Sequence, residues 1–365
     1  MHIGLPKERR PYEYRVGLPP AGIHLFTKHD HIVYVESGAG SGAGFSDDDY
    51  AQAGASIVYN QEEVFGRADM VFKFTRPTLP ELKLMRKGTA LAGFLHLAAA
   101  RQDKIDLLLQ NKITALAYEL VEDEDHNRPI LTPLSQIGGR LVAQIAARLM
   151  QNDQGGRGIL LGGVPGVPPA EVVIIGAGVV GSTAADSFAR FGAHVTLLDS
   201  DLRRLQELYE RSSNAIVTLL STPYNIARSC QYADVLVGAI LVPGKRAPTV
   251  VSREMVRSMK PRSLIIDMSI DQGGCVETSR PTHHGSPTYE EEGVIHYCVP
   301  NMSGVLGRTA TYALFLGAYP YLEALAKHGI EDAIDEVPGL ELGVATRRGK
   351  PIHLSRLGGL MEPAE

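Results

Sequence analysis

Val172-Val-Ile-Ile-Gly176-Ala-Gly178-Val-Val-Gly181 is the stretch on which the fold turns. Four β-branched residues read as a strand, a Gly-x-Gly-x-x-Gly turn follows, and a helical pattern then runs to near Gly192. A second β-rich run ends on Val195-Thr-Leu-Leu-Asp199, placing an acid 23 residues after Gly176. The glycines alone are weak evidence. Strand, turn, helix, strand and acid in that order form the fingerprint of a dinucleotide-binding βαβ unit. Gly176 allows the tight turn, Gly178 lets the backbone approach a pyrophosphate at a helix N-terminus, and Gly181 permits close helix–strand packing. Val179 and Val180 join them as expected cofactor contacts. Asp199 is expected to accept hydrogen bonds from the adenosine ribose and to repel a 2′-phosphate, which favours NAD over NADP. Arg203 and Arg204 lie just downstream and soften that preference; Arg204 is kept as a cofactor contact.

Outward from this unit, further candidate strands fall at Ile216–Leu219, Val235–Ala239, Ser263–Asp267 and Ile295–Cys298, making six with the first two, Val172–Ile175 and His194–Leu198. Upstream, candidate strands at His2–Leu5, Ile32–Glu36, Met70–Phe74, Ala90–Phe94 and Ile113–Ala117 alternate with helical patterns at Ala21–Lys28, Leu79–Met85 and Ala99–Leu109. Alternating strands and helices imply parallel sheets covered on both faces, an α/β chain of two Rossmann-like doubly wound domains. The Gly/Pro-rich run between Asp153 and Ala170 is punctuation, read as a loop or hairpin joining the two α/β runs. After Asn301 an apolar helical pattern spans Thr309–His328, and Pro320 is expected to kink or split it. The tail beyond Gly329 is expected to dock back onto the first domain and make it discontinuous.

The 365 residues correspond to about two domains at ~150 residues each. With 44% hydrophobic and 21% charged residues the chain reads as an ordinary globular protein. A net charge of −5 argues against nucleic-acid binding. No apolar run reaches ~18 residues, and the N-terminus lacks a signal-peptide core, so no membrane partner is expected. Three unclustered cysteines, Cys230, Cys275 and Cys298, point to a reducing cytoplasm rather than a disulfide framework. No metal site is expected. His29-Asp-His31 reads as a polar turn, His283-His284 as an exposed loop and Glu290–Glu292 as a solvated charge run.

Several longer blocks carry a family resemblance. They are Gly4-Leu-Pro-Lys-Glu with Arg15-Val, Phe94-Leu-His96-Leu-Ala, Gly155-Gly-Arg-Gly-Ile-Leu-Leu-Gly-Gly-Val-Pro-Gly-Val, Gly238-Ala-Ile-Leu-Val-Pro-Gly, Ile270-Asp271-Gln-Gly-Gly-Cys and Tyr297-Cys-Val-Pro-Asn301-Met. In this order they resemble the alanine dehydrogenase family, which is related to the NAD-binding subunit of pyridine nucleotide transhydrogenase. The resemblance implies reversible oxidative deamination of L-alanine to pyruvate and ammonium with NAD, an active site in the cleft between two domains, and a homo-oligomer, typically a hexamer. Domain limits of 1–134 plus 303–365 for substrate and catalysis, and 135–302 for NAD, follow.

Residue by residue, the resemblance implies that Arg15 holds the substrate carboxylate; a guanidinium fork suits a planar carboxylate. His96 follows an apolar strand, where parallel sheets face their ligands, and a histidine exchanges protons near neutrality. It matches the family's catalytic histidine. Asp271 matches an aspartate beside the nicotinamide that activates water or stabilises the protonated amine, whereas Asp267 reads as a strand-end acid satisfying backbone donors. Asn301 matches an asparagine bonding both cofactor and substrate. Ser135, Ser221, Ala239, Ile240, Leu241, Ile270 and Met302 fall at positions that contact the dinucleotide.

One block departs from the pattern. The family usually reads Lys-x-Lys-Glu-Pro where this chain has Lys73-Phe-Thr75-Arg76-Pro77. Thr75 replaces a substrate-binding lysine, and losing one charge-assisted bond costs roughly 1.5–3 kcal/mol. Thr75 and Lys73 are expected to contact substrate, Lys73 because it shares Thr75's face of the strand. The departure keeps two alternatives open: an imine-forming dehydrogenase of the opine or saccharopine type, and a non-catalytic transhydrogenase-like nucleotide-binding module.

Overall fold

The computed structural model describes residues 1–213, 215–242 and 245–354. The chain divides into two compact units, Met1–Leu134 together with the chain from Ser303 on, and Ser135–Met302. Among the described residues, no helix is long and apolar enough to cross a membrane.

The first unit opens with β1 (His2–Leu5), α1 (Pro20–Thr27), β2 (Ile32–Glu36), α2 (Asp47–Gln52), β3 (Ser56–Val58), α3 (Gln61–Arg67), β4 (Met70–Thr75), α4 (Leu79–Leu84), β5 (Ala90–Phe94), α5 (Gln102–Gln110) and β6 (Thr114–Ala117). These six strands are parallel, in the order β3-β2-β1-β4-β5-β6. The order reverses between β1 and β4, and in such sheets ligands bind beyond the carboxyl ends at that switch. Local sequence accounts for the helix starts: Ser46 and Thr78 form capping boxes with Asp49 and Glu81, satisfying otherwise orphaned N–H groups. Apolar side chains of β4, β5, β6, α4 and α5, Leu91, Ile105 and Leu108 among them, close one core face.

Next comes α6 (Leu131–Leu149), most of which belongs to the second unit. The second sheet takes β7 (Glu171–Ile175), β8 (His194–Asp199), β9 (Ile216–Leu220), β10 (Val235–Gly238), β11 (Leu264–Asp267), β12 (Thr288–Glu291) and β13 (Val294–Tyr297), interspersed with α7 (Val179–Arg190), α8 (Leu202–Arg211), α9 (Pro223–Tyr232) and α10 (Arg253–Arg257). Its order is β12-β13-β11-β10-β7-β8-β9, the same doubly wound arrangement with β12 added antiparallel at the edge. The expected strands all appear, with ends within one residue, but β12 makes seven rather than six. Within the Glu290–Glu292 charge run, Glu290 and Glu291 lie in the edge strand with Glu290 exposed, Arg253 pairs with Glu291 and Glu292, and Arg257 pairs with Glu292. The Gly/Pro-rich run lies inside the second unit, where Val164 and Val167 bridge across a turn, instead of joining the two.

The chain then returns to the first unit as α11 (Gly307–Glu336). Helical structure continues through Pro320, and the break falls at Gly329 (φ 80°, ψ −175°). That backbone geometry suits only glycine, so the glycine, not the proline, interrupts the helix. Beyond it, β14 (Val344–Arg347) pairs antiparallel with β6 and β15 (Lys350–Pro351) pairs with β14.

Candidate active site

In the first unit the expected site residues gather at the carboxyl ends of β4 and β5. Arg15 lies on the loop after β1. The returning chain holds this loop at three consecutive residues. Tyr14 N–H donates to Gly304 O (3.1 Å), Arg15 Nη1 to Ser303 Oγ (3.1 Å), and Val16 N–H to Thr311 Oγ1 (3.1 Å). Arg15 is only 4% exposed and stacks over the Phe74 ring at 3.9 Å. Its Nε and Nη2 both donate to Glu13, each at 2.5 Å. The two-pronged edge expected to meet a substrate carboxylate is thus occupied by Glu13, which fixes the guanidinium plane.

His96, two residues beyond β5, adopts a left-handed backbone (φ 44°, ψ 43°) and is 54% exposed at its side chain. Its ring stacks on Phe94 (6.2 Å, 18°), Phe94 packs on Phe74 (5.8 Å), and Tyr118 meets Phe94 edge-on (5.9 Å). Imidazole and guanidinium are therefore mounted on two neighbouring aromatic rings.

Lys73 and Thr75 do not act as expected. The register of β4 against β5 shifts between Phe72 and Thr75, an irregularity that re-aims side chains. Lys73 Nζ pairs with Glu81 Oε1 (2.8 Å) and Glu8 Oε2 (3.1 Å), and is 1% exposed. The Thr75 hydroxyl donates to Glu8 Oε2 (2.7 Å), spending its one proton. Glu8 also accepts the Phe74 N–H (2.6 Å). Both side chains expected at the substrate belong to a buried ionic cluster that ties the loop after β1 to β4. Burial pushes the Glu8 carboxyl above its usual range despite Lys73 beside it. Burial opposes the Lys73 charge too, but the two carboxylates outweigh it and its pKa is raised.

In the second unit, Gly176 has φ +109°, and a Cβ there would lie 2.4 Å from Ala239 O. At Gly181 a Cβ would lie 1.8 Å from Gly176 O, whereas at Gly178 it would meet nothing within 4 Å. The loop is thus packed tight behind and open in front, ahead of the N-terminus of α7, which no side chain caps. Val179 is 40% exposed and Val180 half-buried at that terminus. Gly139 of α6 abuts Val180 closely, a Cβ there reaching 2.6 Å from Val180 O, which brings half-buried Ser135, one turn earlier, toward the same end.

Asp199 closes β8. One carboxylate oxygen accepts the Ala177 N–H (2.6 Å), the other the Asp201 N–H (2.8 Å). Each oxygen retains a further acceptor site for a ribose hydroxyl. Arg203 pairs with Asp201, and Arg204 lies 4.0 Å from the same carboxylate. Ser221 N–H donates to Asp199 O, and Ile240 N–H to Ser269 Oγ. Ala239 is buried and Leu241 is 56% exposed after β10. Asp267 accepts N–H groups from Ser269, Cys275 and Val276, which shapes the loop carrying buried Ile270 and exposed Asp271. Asp271 Oδ2 accepts the Asn301 N–H (3.2 Å), and Met302 next to it is buried. Strand-end acid, open glycine loop and uncapped helix start fit a nicotinamide dinucleotide. Among the described residues no His, Cys, Asp and Glu group is placed to hold a metal.

Gly181→Ala is expected to force the loop apart. Overpacking costs about 1–3 kcal/mol, so a fluorescence titration should show dinucleotide affinity falling by about tenfold. Gly66→Ala is the control, since a Cβ there meets nothing within 4 Å.

Sequence reasoning missed Glu119. Its carboxylate accepts the N–H groups of both Leu95 (3.1 Å) and His96 (2.5 Å). The available signal was an acid two residues past a parallel strand; in the second sheet Ser269, likewise two residues past its strand, accepts the Ile240 N–H.

Comparison with known proteins finds relatives that span nearly the whole chain. Residues 4–138 match the alanine dehydrogenase/PNT N-terminal domain model and residues 142–353 the alanine dehydrogenase/PNT C-terminal domain model. Alanine dehydrogenase of Methanococcus maripaludis is 47% identical, over 96% of this chain and 94% of that protein. A solved L-alanine dehydrogenase, 44% identical, superposes with a TM-score of 0.92 over 97% of both chains. A transhydrogenase from Sinorhizobium meliloti shares the fold at 22% identity, with a TM-score of 0.83 over 96% of this chain and all of that one. Matched in both halves and nearly half identical from end to end, the chain belongs to the alanine dehydrogenase/PNT family.

Proposed function

We propose that this chain catalyses the reversible NAD-dependent oxidative deamination of L-alanine to pyruvate and ammonium. The observation that carries the reading is the Arg15–Phe74–Phe94–His96 stack, which mounts a carboxylate-binding cation and a proton-transfer group on neighbouring rings. Full-length likeness to alanine dehydrogenases supports it. The first unit is read as the substrate and catalytic domain, and Ser135–Met302 as the NAD domain.

Gly176–Gly181 and the start of α7 would hold the pyrophosphate of a dinucleotide and Asp199 its adenosine ribose, and the nicotinamide would supply the acceptor for the hydride of the substrate's α-carbon. Arg15 binds the substrate carboxylate through Nη1, exchanging the Ser303 hydroxyl for it, while Glu13 keeps the guanidinium plane fixed. After hydride loss, water must add to the imine carbon. The His96 imidazole accepts that water's proton, returns it to the amine nitrogen, and takes the remaining hydroxyl proton as the carbonyl forms and the amine departs. Asp271, anchored by Asn301 N–H, stabilises the amine while it is protonated.

The anchoring of Asp199 supports NAD over NADP: both its oxygens accept backbone N–H groups, which hold the carboxylate where it would repel a 2′-phosphate. Asp201 draws off the two arginines that would welcome one. Self-association into a homo-oligomer belongs to the same reading, supported by Leu160, Val164 and Val167, each more than half exposed on one turn. Three buried free cysteines support a reducing, cytoplasmic setting.

The test is the purified chain with L-alanine at alkaline pH. Reduction of NAD with release of ammonium is expected, and slower reduction of NADP. No turnover with any small amino acid would overturn the proposal. NADH oxidation with pyruvate plus a diamine or amino acid, but not with ammonium, would replace it with an imine-forming dehydrogenase.

A further inference from the structure

We propose that Glu119 is the positioning residue of His96, holding its backbone in the left-handed turn and setting the imidazole to the Nδ1–H tautomer. This rests on His96 being the proton-transfer group. Parallel pairing of β5 with β6 sets Gly93 opposite Ala117. Two or three residues further along each chain, past the strand ends, Leu95 and His96 come beside Glu119. The Glu119 carboxylate then takes one N–H on each oxygen, Leu95 on Oε2 and His96 on Oε1. A non-glycine residue at φ 44° needs such a hold to persist.

The same oxygen that accepts the His96 N–H lies 4.0 Å from His96 Nδ1. That is too long for a hydrogen bond but short enough for electrostatic preference. Negative charge on the Nδ1 side favours the proton there and leaves Nε2 with its lone pair. Free imidazole in histidine prefers the opposite tautomer, so an enzyme using Nε2 as base must impose the choice. The side chains of His96 and Glu119 are 54% and 13% exposed, so the imidazole is open to substrate while its orienting carboxylate is largely shielded. Phe94, clamped by Tyr118 from the same β6 turn, fixes the ring plane. Glu119 thus sets one ring edge and Tyr118, through Phe94, the ring face.

The experiment compares the wild-type chain with Glu119→Gln and Glu119→Asp. Histidine-labelled protein is followed by ¹⁵N NMR with the imidazoles neutral, and the His96 signal is assigned with His96→Ala. Wild type should show His96 as Nδ1–H, and Glu119→Gln should move it toward Nε2–H. The kcat with L-alanine should fall by about 10- to 100-fold in Glu119→Gln, with KM for L-alanine and dinucleotide affinity held within about twofold. Glu119→Asp keeps the charge but shortens the reach, and should recover part of the tautomer preference. Nε2–H in the wild type, or an unchanged tautomer and kcat in Glu119→Gln, would overturn the assignment. A wild-type chain that turns over no amino acid defeats the proposed function instead, and the tautomer measurement still decides the role of Glu119.

Discussion

His96→Ala is expected to lower kcat for L-alanine-dependent NAD reduction by about 10²- to 10⁴-fold, the range that a positioned acid–base group contributes. Dinucleotide affinity should not change, because every residue assigned to the dinucleotide lies in Ser135–Met302. Folding should survive as well: the side chain is half exposed and lies 4.0 Å from the Glu119 carboxylate, beyond hydrogen-bond reach, so the loss on truncation is chiefly one stacked ring on Phe94. Steady-state kinetics, NADH titration and a thermal melt on the same preparation check all three. Retained turnover in a folded variant would remove His96 from the chemistry, and a loss of dinucleotide binding would relocate its effect.

Lys73→Met should produce the largest loss of stability. The ammonium sits between Glu8 and Glu81 with all three side chains at most 2% exposed. Removing it leaves two carboxylates buried without their cation, a change that typically costs about 3–5 kcal/mol. For a unit of this size the melting temperature should fall by roughly 10 °C. The deficit should depend on pH in a definite direction. Burial raises the Glu8 carboxyl and Lys73 lowers it, so removing Lys73 raises it further, and folding of the variant is favoured when Glu8 holds a proton, an advantage that fades as pH rises. The deficit should therefore be smaller at pH 5 than at pH 8, as scanning calorimetry can measure. If Lys73 instead touches substrate, Lys73→Met will melt near the wild-type temperature and show a sharply raised KM for L-alanine.

These two residues also mark where reading the chain succeeds and where it stops. Strand positions were legible because buried parallel strands are short β-branched runs bounded by turn residues, as in Val172–Ile175. The short β3, the edge strand β12 and the helix Leu131–Leu149 were not expected. Ser56–Val58 is three residues long, Thr288–Glu291 has three polar residues in four, and Leu131–Leu149 holds a Pro and two Gly. Pro320 was the obvious helix breaker by residue type, yet the break falls where backbone geometry demands glycine, at Gly329. The chemistry of Arg15 and His96 emerged through family likeness, since a single arginine or histidine carries no periodicity. That Lys73 and Thr75 turn toward Glu8, more than sixty residues away, is a tertiary fact with no local signature.

The placement of β14 governs the order in which the molecule can be made. Ser135–Met302 is one continuous stretch, complete once residue 302 has been synthesised. The first sheet is not, because its β6 edge stays unpaired until Val344–Arg347 arrives, and the Arg15 loop waits for Ser303, Gly304 and Thr311. During translation at ~5–20 residues per second, the Ser135–Met302 unit is finished several seconds before the other. In that interval the growing chain carries an open strand edge of the kind that invites wrong pairing, making β6 the segment a ribosome-bound chaperone has most reason to shield.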